Sequence, residues 1–173
     1  MPIIERLDAA RHDREGFACG EPSLDEYLRQ RATQHQRDGI STTHVLVENM
    51  GTSSLLGYYS LAAAQLQLAE LHEADRRRLP RYPVPAIRMA RLAVATSEQG
   101  KGHGDFLLAH AVARCLDLRE QLGVRVMLVD ALHDKAAWFY RAYGFRDVND
   151  LYGPSDSTGN GARLYLPLGK SGG

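Results

Sequence analysis

An α+β fold, built on a mixed β-sheet with helices on both of its faces, is what this sequence predicts, and three observations predict it. HVLVEN (44–49) and LLGYYSLAAA (55–64) flank the turn Gly51-Thr52-Ser53-Ser54, and two apolar runs around such a turn signal an antiparallel hairpin. VRVMLVDAL (124–132) is apolar without alternation, as a central strand covered on both faces must be. A long helical pattern lies between IRMARLAVAT (87–96) and that strand, and such a crossover is right-handed and leaves its strands parallel.

The elements follow in order. Ser23-Leu24-Asp25-Glu26 has the spacing of a capping box, and Leu24, Tyr27, Leu28 and Ala32 line one face of the helix it opens, which Gly39 ends. After the hairpin, LAELHEADRRRL (68–79) reads as a helix with acids early and arginines late, the order that complements the peptide dipole. Pro80, Pro83 and Pro85 stop it before strand 87–96. The next helix runs to about Leu122, with Leu108, Val112, Cys115, Leu116 and Leu122 along one side and Gly123 closing it. Strand 124–132 is followed by a helix capped by Asp134 and running through Tyr143, with Gly144 at a left-handed position and Phe145 packing behind it. ARLYLPL (162–168) is the last strand, while YGPSDSTGNG (152–161) and the terminal GKSGG read as surface loops.

The 173 residues are sized for a single domain, 1–173, able to bury roughly two thirds of its unfolded surface. No apolar run approaches the ~20 residues of a membrane span, and MPIIERLDAA lacks the features of an export signal. Cys19 and Cys115 are too few for a disulfide framework and lack metal-ligand spacing, so a cytoplasmic protein without a metal is expected, with Cys115 in the core. Lys plus Arg balances Asp plus Glu at 21 each, whereas a domain devoted to nucleic acid is usually basic.

Gln99-Gly100-Lys101-Gly102-His103-Gly104 stands between a strand and a helix, where first-turn N–H groups lack partners and carry partial positive charge. It is not a P-loop, which needs Gly-Lys-Ser/Thr, and Leu107 stands where a dinucleotide-binding turn needs glycine or alanine. An anion still fits: the dipole contributes only ~0.3–1 kcal/mol, but charge-assisted hydrogen bonds at ~1.5–3 kcal/mol each would hold a diphosphate. The alternative is that these glycines only make a tight turn.

This stretch, preceded by RLAV and followed by Leu107-Leu108, resembles the Gln/Arg-x-x-Gly-x-Gly/Ala acetyl-CoA signature of the GNAT N-acetyltransferase superfamily. Downstream, Ala136-Ala137-Trp138-Phe139-Tyr140-Arg141-Ala142-Tyr143-Gly144-Phe145 resembles that superfamily's A-x-x-FY-x-x-x-GF helix. The resemblance covers 41–168. It implies an acyl-CoA N-acyltransferase fold in which strand 87–96 splays from strand 124–132, with pantetheine along Leu92, Ala93 and Val94 and the diphosphate on Gln99, Gly100, Lys101, Gly102, His103 and Gly104. FACGEPSLDEYLRQRATQHQRDGIS, LLGYYSLAA, VPAIRMARLAV and DALHDKAAWFYRAYGF are similar, more narrowly, to the GNAT toxins of bacterial toxin–antitoxin pairs. That likeness implies acetylation of aminoacyl-tRNA, a translation block, and neutralisation by a ribbon-helix-helix antitoxin. A homodimer is left open.

The resemblance makes Tyr140 the catalytic acid for the departing thiolate, with Tyr143 as its competitor on helical spacing. A backbone N–H near Ala93 or Val94 would meet the oxyanion. An α-amino group titrates near pH ~7.7–8.0, so a strong base is unnecessary; Asp130 or His133 might orient a water, although capping suits His133 better. His103 is expected to face outward and Lys101 to reach a phosphate. Arg76, Arg77, Arg78, Arg81, Arg88 and Arg91, with no acid between them, would track the tRNA backbone, or the first three would simply complete a helix end. Two other readings stand beside this one: a GNAT enzyme for a small amine or protein N-terminus, and a non-catalytic CoA-binding corepressor.

Overall fold

A computed structural model describes residues 1–77, 79–148 and 162–169. Its strands are β1 (Ile3–Arg6), β2 (Thr42–Val47), β3 (Gly57–Leu66), β4 (Val84–Val94), β5 (Val126–Ala131), β6 (Arg146–Asp147) and β7 (Ala162–Pro167). Its helices are α1 (Pro22–Gln30), α2 (Ala32–Arg37), α3 (Glu73–Arg76), α4 (His103–Gln121) and α5 (Asp134–Tyr143). The seven strands form one mixed sheet in the order β1-β2-β3-β4-β5-β7-β6, with the β2–β3 hairpin antiparallel and β4 next to β5, the pair that α4 connects. The 152–161 loop and the GKSGG tail beyond Gly169 lie outside the described residues.

The chain clusters into two compact units, 1–62 with 89–113 and 63–88 with 114–173, so β3 and β4 each contribute to both. The first has its own core, in which Leu24, Tyr27, Leu28 and Ala32 pack with Phe17, Val45, Val47, Tyr58 and Ala93. The helical stripe is as predicted, but the cap differs. Pro22 takes the first turn and Glu21 the N-cap, with no side-chain cap bond, because proline's fixed φ suits a first turn that has no need of its N–H. Asp25 instead accepts a hydrogen bond from the Cys19 amide at 2.9 Å, and the helix breaks at Arg31 before Gly39 ends the pair. β1 has no counterpart in the sequence reading: it is only IIER, paired antiparallel with β2.

In the second unit, Leu66, Leu71, Val84, Ala86, Val126, Leu128 and Tyr165 form the core. The helix expected over 68–79 is a 3-10 turn (Leu68–Glu70) and the single turn α3. The break is at His72, whose amide N–H donates to the Tyr165 hydroxyl (2.9 Å) and not to a preceding carbonyl. That hydroxyl donates in turn to Asp75 Oδ2 at 2.6 Å, and Arg146 pairs with the same oxygen at 3.1 Å. β4 starts earlier than expected and includes Pro85, whose carbonyl accepts from Arg125 N–H. α4 buries Leu107, Leu108, Ala111, Val112 and Cys115, whereas Leu116 and Leu122, expected on the same stripe, are exposed. α5 is capped by His133, not Asp134: His133 Nδ1 accepts from Ala136 N–H at 3.2 Å. Gly144 has φ +115° and Phe145 is buried behind it.

Both cysteines are free and buried, and burial pushes each thiol up to about 12. Neither should react with an alkylating reagent at pH 8 until the protein is unfolded, since the thiolate is the nucleophile; mass spectrometry with and without denaturant checks this. Gly57 is fixed by close approach: a Cβ there would lie 2.7 Å from the Ala93 carbonyl oxygen and 2.9 Å from Leu107 Cδ1. Gly57→Ala is therefore expected to destabilise the fold by about 1–3 kcal/mol in chemical denaturation, as overpacking against backbone does.

Candidate active site

The glycine loop is assembled wholly within the first unit. β4 runs along β3 until Ala95, whose N–H donates to Leu56 O at 2.8 Å. Successive residues of a strand turn their amides to opposite edges, so Ala93 and Ala95 face β3 while Leu92 and Val94 turn N–H and C=O to the other edge. Val94 O confirms the alternation: it accepts from the Gln99 side chain at 3.0 Å. Gln99 Nε2 also donates to Cys19 O at 3.0 Å, so one primary amide ties the loop to the end of β4 and to the segment before α1.

Beyond that tie, Gly100 and Gly102 have φ of +84° and +85°, the left-handed region that side chains resist, and a Cβ on either would meet nothing within 4 Å. Backbone conformation, not crowding, is what demands glycine. Gly104 is already helical. Phe106 N–H bonds Gly102 O, so the amides of His103, Gly104 and Asp105 are first-turn donors without an i−4 acceptor. The loop is thus open, and its donors stand where the dipole favours an anion.

Glu98, which the sequence reading did not single out, organises the basic side chains. It accepts from Lys101 Nζ at 3.2 Å and His103 Nε2 at 3.1 Å, and hydrogen bonds from His103 and then Lys101 hold its carboxyl below the usual range. His103 therefore does not face outward as expected; only 13 % of its side chain is exposed. The Glu98–Lys101 spacing of three was visible in the sequence, but nothing there revealed a second partner two residues on.

In the second unit, Tyr140 is buried and Tyr143 is 41 % exposed, which separates the two candidates. The Tyr140 ring lies between Phe139 and Phe145, with centroids 5.3 and 5.5 Å away. Burial alone pushes its phenol well above the usual value. Such a group stays protonated at neutral pH and can give up a proton but cannot act as a base. Neither proposed base is placed as one: His133 caps α5, and Asp130 accepts from Arg88 at 2.9 Å and Arg163 at 3.1 Å. Arg76 and Arg77 lie at the end of α3, and Arg81 is exposed. Arg91 instead lies over the Tyr27 ring, 3.5 Å from its centroid, and Arg78 is outside the described residues. Among the described residues no helix is long and apolar enough to cross a membrane, and no group of three His, Cys, Asp or Glu could hold a metal ion.

Comparison with known proteins agrees with this construction. Residues 40–147 match the Acetyltransferase (GNAT) domain family. A tRNA-acetylating toxin of Mycobacterium tuberculosis (strain ATCC 25618 / H37Rv) is 41 % identical over 133 residues, 77 % of this chain and 78 % of that protein. The structure of AtaT complexed with acetyl-methionyl-tRNAfMet superimposes with a TM-score of 0.84 at 28 % identity, covering 96 % of this chain and 95 % of the other. A mutant AtaT toxin bound to the C-terminus of the antitoxin AtaR and acetyl-CoA gives 0.78 at 27 % identity, covering 96 % and 93 %. The family match makes the chain an acyltransferase, and the open glycine loop on a helix N-terminus, at the end of a strand of a mixed seven-stranded sheet, accords with it. The chain belongs to the GNAT acetyltransferase family.

Because Gln99 carries two hydrogen bonds to backbone carbonyls, Gln99→Ala is expected to cost about 1 kcal/mol of stability and to speed amide hydrogen exchange across 99–104. Thermal melting and exchange mass spectrometry check both.

Proposed function

We propose that the chain works as one catalytic domain that transfers acetyl from acetyl-CoA to the α-amino group of aminoacyl-tRNA in the cytoplasm, blocks translation thereby, and is neutralised by a ribbon-helix-helix antitoxin. The observation that carries this reading is the 41 % identity, over most of the chain, with a tRNA-acetylating toxin. AtaT, with its tRNA, acetyl-CoA and antitoxin complexes, supports the same assignment of acceptor, donor and partner.

The residues present fit the donor. Gly100 and Gly102 leave the space above the loop clear, and the amides of His103, Gly104 and Asp105 would bond the diphosphate. Lys101 adds a positive charge beside it, tempered by Glu98. Leu92 and Val94 turn their amides to the β4 edge away from β3, where the pantetheine arm would run, and this alternation favours Val94 over Ala93 as the oxyanion donor.

Acetyl-CoA supplies the acyl group as a thioester: the N–C bond forms, the C–S bond breaks, and one proton leaves nitrogen as another reaches sulfur. Tyr140 donates that second proton. A buried phenol is a weaker acid than a thiol, so it holds its proton until negative charge has built up on sulfur, then regains one from the acetylated nitrogen or from water. The chain needs no strong base, because an α-amino group near pH ~7.7–8.0 is partly neutral in cytoplasm. This accords with His133 and Asp130 being occupied in structural bonds. The exposed Arg77 and Arg81, with the half-buried Arg76 beside them, would follow the phosphate backbone of the acceptor.

Tyr140→Phe is expected to lower kcat for transfer of radiolabelled acetyl to a total aminoacyl-tRNA pool by about 10²-fold or more, the usual scale for loss of a positioned acid, while acetyl-CoA affinity holds. Expressed alone, the wild type should arrest growth and the variant should not; equal toxicity of the two would remove Tyr140 from the mechanism.

A further inference from the structure

In the second unit three rows of core side chains run out into charge at the same end of the sheet. Residues two apart on a strand share a face. Val84 and Ala86 of β4 therefore lead to Arg88, Val126 and Leu128 of β5 to Asp130, and Tyr165 of β7 to Arg163. Asp130 and Arg163 stand directly opposite each other in the β5–β7 register. The carboxylate is divided between two cations: Oδ2 accepts from Arg88 Nη2 at 2.9 Å and Oδ1 from Arg163 Nε at 3.1 Å.

This arrangement is poorly explained by folding. Partly exposed ion pairs contribute little to stability, and a second arginine on the same carboxylate adds repulsion from the first. The trio alone carries one net positive charge, which Glu70, an ion-pair partner of Arg163, offsets from the side, and the side chains of Arg88 and Arg163 are 43 % and 40 % exposed. Glu70 comes no nearer to Arg163 than 3.8 Å, beyond hydrogen-bond distance. Each guanidinium has five N–H donors and gives Asp130 one; Arg88 Nε is buried, so the donors that fork retains for a ligand are on its Nη groups, while Arg163 retains those of both Nη groups. Asp130 also shows that their spacing suits an anion with two oxygens, one for each fork, which a phosphodiester also presents through its non-bridging oxygens.

We propose that Arg88 and Arg163, held apart by Asp130, form a phosphodiester site that grips the single-stranded end of the RNA acceptor. This rests on the aminoacyl-tRNA reading above and extends it to a β7 residue far in sequence from the 76–91 arginines. Asp130 is then a positioning residue, and the site fixes the register of the acceptor strand without reading its bases.

The test is KM for aminoacyl-tRNA, followed between about 50 and 200 mM salt for wild type, Arg163→Gln and Arg163→Lys, with thermal melting to confirm that each is folded. Loss of one phosphate contact to a single strand lowers the slope of log affinity against log salt by about 0.7, so Arg163→Gln should show a several-fold higher KM at low salt and that shallower slope. Arg163→Lys, which keeps the charge but not the fork, should keep the wild-type slope with an intermediate KM; it also decides the matter if the glutamine variant fails to fold. A raised KM with an unchanged slope would make Arg163 merely structural and overturn the site, as would an unchanged slope accompanied by weakened antitoxin binding. If the wild type itself transfers nothing to aminoacyl-tRNA, the functional reading falls and this site with it. Transfer by the wild type with no slope change in Arg163→Gln sinks the site alone.

Discussion

The close approach of β3 to β4 at Gly57 is the constraint on which the glycine loop depends. With no side chain there, the Ala93 carbonyl oxygen can come within 2.7 Å of where a Cβ would be, and Ala95 completes the pairing through Leu56. Once β4 is committed to β3 along that edge, alternation alone dictates that Leu92 and Val94 address the opposite one. Gln99 reads the same alternation, since it reaches the Val94 carbonyl only because that group is turned away from β3. Strand pairing, amide direction and loop position thus form one chain of cause, with a glycine at its head and a primary amide at its end.

Much of this was legible in the sequence because the decisive signals are local. The β2–β3 turn, the apolar run of β5 and the left-handed Gly144 each require only neighbouring residues, and all three are where expected. The glycine loop was legible for the same reason: Gly100 and Gly102 answer to φ alone. The misses are residues whose partners lie far along the chain. No period in 68–79 discloses that Tyr165, 93 residues later, will take the His72 amide and break the helix. Ser23 had the pattern of a cap, but Pro22 one residue earlier set the helix start, and Asp25 was drawn to Cys19. Leu116 and Leu122 fitted the period of α4 yet are exposed, Leu122 the more so. At the site, Tyr140 and Tyr143 were inseparable by spacing and are separated by burial, a property of the packed α5–Phe145 corner.

Electrostatic organisation follows a common logic in both units: carboxylates hold basic groups in place more than they neutralise them. Glu98 fastens Lys101 and His103 at the loop, and Asp130 spaces Arg88 and Arg163. Zero net charge is therefore compatible with anionic partners, because the acids that balance the arginines are spent in setting where those arginines stand. Overall charge is for the same reason a poor guide to local anion contacts, since field direction at a few angstroms depends on individual pairs and not on their sum.

The anchoring of the 68–77 segment by the Tyr165 phenol and the buried Leu71 has an evolutionary corollary. A continuous helix would owe its place to the propensities of many positions, and each replacement would be weighed against the whole. Here a 3-10 turn and one helical turn hang from Tyr165 through His72 and Asp75, so the exposed positions between those anchors are released from any duty to the fold. Lineages can rewrite that surface while the sheet beneath keeps its register.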